Sequence, residues 1–223
     1  MDRGCTRVVC VASGRHAVPW DLRIHRGEVL GTRGAWEEAE SEIRAAGDEL
    51  AAFKAHYAAE AFHALADIQR RRGDLAGAEH SFRRAHELGR NPHPGLGLVR
   101  LAQGQPDVAV AALRSALADR STNSMRRAEL LAAEVEAALA TGELALARTA
   151  AEDLSALAEE FDPPAVNAMA ALARGAVRLA DDDAAGALPE LRAAATIWSD
   201  LQLPYEEAQA RPPAHRRRGQ EAG

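Results

Sequence analysis

A glycine corner that recurs along the chain limits what it can fold into more than any other feature. In "RRRGDLAGAEHSFRRAHELG" (residues 70–89), Gly73 is followed by Ala78 five residues on, Phe82 nine residues on and Ala85 twelve residues on. The same corner stands at Gly34, Gly104 and Gly142, and a fifth copy has Asp182 in the glycine's place. Five residues after each corner the residue is always alanine: Ala39, Ala78, Ala109, Ala147 and Ala187. Nine residues after it come Ile43, Phe82, Leu113, Ala151 and Leu191. Successive corners are 39, 31, 38 and 40 residues apart, the period of helical repeat arrays.

The residue types explain the pattern. Glycine lets the chain leave a helix in a left-handed conformation, and an acidic residue such as Asp74 or Glu143 suits the positive amino end of the next helix. Alanine lets two helix backbones approach closely. The larger apolar residue four positions later lies on the same face and fills the adjacent gap. A single hairpin of this kind cannot cover its apolar face, so neighbours must stack. Composition points the same way. Hydrophobic residues make up 47% of the 223 but aromatics only 4%, which leaves mostly alanine and leucine, strong helix formers.

The expected fold is therefore all-α, with helix pairs near 20–32 and 35–52, 56–72 and 75–89, 95–103 and 106–118, 124–140 and 143–160, and 164–180 and 184–201. Pro19 suits the first turn of a helix, and a final helix starts at Pro204. Pro189 falls inside an expected helix and should bend it or delay its start. Three regions follow: an irregular segment at 1–18, a helical repeat domain at 19–211 and a disordered basic tail at 212–223.

Before Gly73, Phe62, Leu65 and Ala66 stand eleven, eight and seven residues upstream. With Ala78, Phe82 and Ala85 they resemble the large, large, small and alanine, aromatic, alanine pattern of the tetratricopeptide repeat. Other copies depart from it, with Val135 in the small position and Ala151 in a bulky one. The expected architecture is thus a tetratricopeptide-like α-solenoid of about five hairpins plus a truncated sixth. "ALPELRAAATIWSDLQLPYEEAQAR" (187–211) is similar to the helical region of large, chiefly actinobacterial, LuxR-type transcriptional regulators, on Trp198, Leu201, Pro204, Tyr205, Glu206, Ala208, Ala210 and Arg211. The resemblance spans about 20–211. It implies a sensor or protein-interaction region. That family's helix-turn-helix DNA reader has no counterpart here, since Pro212 and Pro213 interrupt the place where it would continue.

Several chemistries find no support in the residues. Net charge is −6, and the phosphate-binding motif G-x-x-x-x-G-K-[ST] does not occur. "GLGLVR" (95–100) lacks the third glycine of a dinucleotide loop. Neither His56 and His63 nor His80 and His86 have the helical spacing of a compact metal site. Cys5 and Cys10 read as two reduced thiols. The acidic run at 181–183 caps a helix, and Arg70–Arg72 close one.

The expectation is a non-catalytic protein–protein interaction scaffold without cofactor or metal, cytoplasmic and away from membranes, which on the resemblance is the repeat region of a LuxR-type regulator. The alternative is a stand-alone adaptor or the non-functional remnant of a truncated regulator. A protein or peptide segment would lie in the concave face, against Arg26, Tyr57, His63 and Arg127 on the first helices of the pairs. Sequence-specific nucleic-acid binding is not expected. The repeat contacts are assigned to Gly34, Ala39, Gly73, Ala78, Phe82, Gly104, Ala109, Gly142, Ala147 and Ala187. A terminal repeat cut short after Pro204 would expose parts of Leu191, Ile197, Trp198 and Leu201 and invite self-association.

Overall fold

A computed structural model describes residues 20–51, 54–119 and 122–211. Pro19, the two cysteines and the tail from Pro212 lie outside the described residues. Among those described, all regular structure is helical, in eleven helices: α1 (Trp20–Thr32), α2 (Trp36–Ala51), α3 (Ala55–Arg72), α4 (Leu75–Glu87), α5 (Gly95–Ala102), α6 (Pro106–Leu117), α7 (Ser124–Thr141), α8 (Leu144–Phe161), α9 (Pro164–Ala180), α10 (Ala184–Asp200) and α11 (Pro204–Ala210). The fold is all-α. Among the described residues no helix is long and apolar enough to cross a membrane.

The corners share one hydrogen-bond pattern. At Gly73 (φ +86°) the amide donates to the Arg70 carbonyl at 3.0 Å, and the Asp74 amide to Gln69 at 2.9 Å. This pairing satisfies carbonyls that the helix end would otherwise leave open. The same two bonds recur at Gly34, Gly104 and Gly142, all with positive φ. Asp182 adopts φ +60° in the glycine's place, one of the few side-chain types that tolerate it. Asp74 and Asp183 then cap the following helices, accepting from the amides of Gly77 (3.0 Å) and Gly186 (2.8 Å).

Packing follows from the small residues after each corner. Ala39, Ala78, Ala109, Ala147 and Ala187 have no solvent exposure. Ile43, Phe82, Leu113, Ala151 and Leu191 are buried beside them. Each helix packs on the next in sequence, and α1, α3, α5, α7 and α9 also pack on one another in succession. The second helices of the pairs have no comparable contact with each other. α1, α3, α5, α7 and α9 therefore form one contacting inner row.

After three of the five buried alanines, a charged residue at the next position ties neighbouring pairs together. Glu40 meets Arg72 at 2.6 Å, Glu79 meets Arg100 at 2.9 Å, and Arg148 reaches Asp181 with the signs reversed. Buried Gln69 extends the first of these links: it accepts from the Ser81 hydroxyl at 2.8 Å and donates to Glu40 at 3.2 Å.

One expectation is narrowed and another needs correction. α10 starts at Ala184 and runs through Pro189, so the proline does not delay it. The Asp183 cap anchors its first turn, ahead of the amide that proline removes. The carboxyl end is also not an open apolar face. Leu191 and Trp198 are buried and Ile197 is half-buried, which leaves only Leu201 exposed at 38%. α11 folds back over α10 and sets Leu203 and Ala210 against Trp198. The surface on which self-association was expected is largely covered.

Candidate functional site

Helical periodicity gives each inner helix one face of its own. On α3 that face carries His63, Asp67, Arg70 and Arg71; on α7, Met125, Glu129, Ala132 and Glu136; on α9, Ala165, Met169, Leu172 and Ala176. Steps of three or four residues keep each set on one side of its helix. The three faces enclose a cavity of about 840 Å³, which parts of α1, α5, α10 and α11 complete. Small residues on α7 and α9 leave the room, and large ones at its edges shape it.

The second helix pair and the last helix meet across this cavity. Arg71 of α3 pairs with Asp67 at 2.7 Å and with Glu206 of α11 at 2.9 Å. Its guanidinium lies 5.0 Å from the Tyr205 ring centroid. That ring stands edge-on to Trp36 of α2, with centroids 6.3 Å apart. Arg70 pairs with Asp67 at 2.7 Å and also hydrogen-bonds Tyr205. Burial works to raise the Asp67 pKa, but Arg70 and Arg71 outweigh it and hold the carboxyl below its usual range. The pair groups are thus ionised and mutually committed.

At the other end of the cavity, burial drives the His63 pKa down to about 3, with Arg126 and Arg90 adding to the effect. The imidazole is neutral at neutral pH. Arg126 Nη2 lies 3.2 Å from His63 Nε2, and a guanidinium only donates, so Nε2 accepts and the proton resides on Nδ1. The ring also packs edge-on to Phe82, with centroids 5.2 Å apart. Arg126 is held further by Glu129 at 3.1 Å and by the Asn91 carbonyl at 3.3 Å. Arg90 pairs with Glu60.

Glu136 differs from these groups. Its side chain touches water inside the cavity, yet protein encloses it closely enough that burial raises its pKa; Arg70 opposes the shift. No hydrogen bond or ion pair engages its carboxylate among the described residues. Four polar atoms of the lining residues are sealed from water without a hydrogen-bond partner: Arg71 Nε and Arg90 Nε, in guanidiniums already held by ion pairs, and Trp198 Nε1 and Glu206 Oε2. Such atoms are uncommon in folded proteins. Among the described residues no three His, Cys, Asp or Glu side chains converge as a metal site.

Of the four residues assigned to partner contact from sequence, His63 lines the cavity and three do not. Arg26 lies outside it, 3.7 Å from Glu42 on α2. Tyr57 is exposed near the start of α3, with the Lys54 ammonium 5.5 Å from its ring centroid. Arg127 turns away and donates to the Leu117 carbonyl at 3.4 Å. Sequence reasoning missed Glu136, Trp198, Met169 and the pair Arg71–Glu206. The stripe of Met125, Glu129, Ala132 and Glu136 carries the helical spacing that could have marked the first of them. The chain matches no protein-family model, and no curated protein matches it.

Proposed function

We propose that the chain is a non-catalytic interaction scaffold whose concave inner face holds a protein or peptide segment. In this reading the helix pairs form a tetratricopeptide-like α-solenoid of five hairpins, and α11 is the first helix of a shortened sixth. The supporting observation is the cavity of about 840 Å³, to which one face of every odd-numbered helix contributes. Stacked hairpins create extended surfaces of this kind, and their inward residues select the partner. We place the scaffold in a cytoplasmic, LuxR-type regulatory setting on the match at Trp198, Pro204, Tyr205 and Glu206. A helix-turn-helix reading frame adjoining the gene would support that setting. An intact unrelated gene there would make the protein a stand-alone adaptor.

Panning a random peptide library against the full chain tests the binding reading. Enriched peptides should lose most of their affinity for an Ala132→Gln variant, whose added side chain enters the cavity from α7. Failure to enrich any sequence, or equal binding to the variant, would refute a ligand in the concave face.

A further inference from the structure

We infer that the segment held in the cavity is an extended peptide bearing a lysine or arginine beside apolar residues, its cationic side chain seated against Glu136. This rests on the scaffold reading above and adds the chemistry of the occupant. Three observations carry it.

The cavity is unbalanced in charge. Its lining has six carboxyl groups and four guanidiniums, and His63 is neutral. The arginines are committed to Asp67, Glu206, Glu60 and Glu129. Of the two carboxyl groups left, Glu28 bonds His25 on its own helix at 3.1 Å, and Glu136 is reached by water and paired with no cation. An ammonium or guanidinium placed there would meet a complementary charge that no cation of the protein already pairs.

Between the paired charges much of the wall is apolar. Leu98, Met125, Met169, Leu172 and Leu203 line it. A pocket with predominantly hydrophobic walls and a few placed polar groups is the usual form of a binding site, and its methionines adapt to different side chains. A bare inorganic cation would leave this surface unused, whereas residues flanking a lysine or arginine would cover it.

Two of the unpartnered atoms match a main chain. Trp198 Nε1 is a donor and Glu206 Oε2 an acceptor, and both stand where α10 turns into α11. A peptide offers a carbonyl for the first and an amide for the second. Both atoms are sealed from water as they stand, so reaching them requires α11 to shift outward. That helix is short, and its links to α2 and α3 run through Tyr205 and Glu206.

Three fluorescein-labelled heptapeptide mixtures test the inference. Their central residue is fixed as Lys, Gln or Glu, and the positions around it are randomised over uncharged residues. Titrated with the full chain and followed by anisotropy, the Lys mixture should bind about tenfold more tightly than the Gln mixture, with the Glu mixture weakest. Glu136→Gln should bring the Lys and Gln mixtures within about twofold of each other. Equal affinity of the native chain for the Lys and Gln mixtures would overturn the cation site while leaving the scaffold reading intact. Binding of no mixture, with concentration-dependent self-association in sedimentation, would assign the cavity to a second copy and overturn the proposal. Binding of no mixture by a monomer would overturn the scaffold reading as well.

Discussion

Gly95 opens α5 directly against the Phe82 ring. A Cβ at residue 95 would stand 2.1 Å from Phe82 Cζ, 2.6 Å from Cε1 and 2.9 Å from Cε2. The ring has no solvent exposure and packs with Ala66, Ala78 and Val99, while the His63 ring lies edge-on at 5.2 Å. It has no free direction in which to move. Gly95→Ala therefore sets two terms against each other. Helix propensity favours alanine by at most about 1 kcal/mol. Overpacking typically costs about 1–3 kcal/mol, and a contact this short with a confined ring belongs at the upper end. The net expectation is a loss of about 1–2 kcal/mol, or roughly 2–8 °C in Tm for a chain of this size. Thermal and urea unfolding of Gly95→Ala would measure it, and a second background would identify the cause. In Phe82→Leu the smaller side chain relieves the contact, so the same substitution should become neutral or slightly stabilising. A rise in Tm in the native background, or an equal cost in both, would refute the packing assigned to this junction.

Other positions give sharp expectations too. Ala78→Arg should cost at least about 3 kcal/mol, because it forces a charge into a contact with no solvent exposure, and an unchanged melting temperature would contradict the repeat register. His63 has a folded pKa of about 3 against an unfolded value of 6.5, so the unfolded chain binds its proton first as pH falls. Stability from this group is present above about pH 6.5 and is lost towards pH 3, by about 2 kcal/mol between pH 7 and 5. Urea titrations of native and His63→Gln proteins should show that extra decline only in the native one. Arg71→Ala removes a partly buried ion pair and a cation–π contact from α11, so amide exchange at 205–210 should accelerate about tenfold, and unchanged exchange would show that the helix is held by other contacts.

The corners were legible because they constrain residue type directly. A left-handed φ favours glycine or a short polar residue, and a close helix approach favours alanine, so Gly73, Asp182 and Ala78 stand out without an alignment. The inner face was less legible. One residue along a helix turns a side chain by about 100°, which separates Arg126, inside the cavity, from Arg127, outside it. Corner-based register was good to a residue or two, and that is too coarse to choose between them. The α3–α11 bridge was hidden for another reason. Arg71 and Glu206 lie more than a hundred residues apart, and their meeting depends on small rotations accumulated over every intervening pair. Trp198 matched the family pattern by type, but nothing local showed that Leu203 would fold back to bury it.

Methionine offers the most direct test of the central claim that the concave cavity is where a peptide segment binds. Three methionines occur in the chain, and two of them, Met125 and Met169, line the cavity on different helices. In protein carrying ¹³C-methyl methionine, addition of a peptide selected by panning should shift the Met125 and Met169 methyl resonances. Assignment would come from single methionine-to-leucine substitutions. A peptide that binds to saturation while both cavity methyls keep their positions would contradict the account.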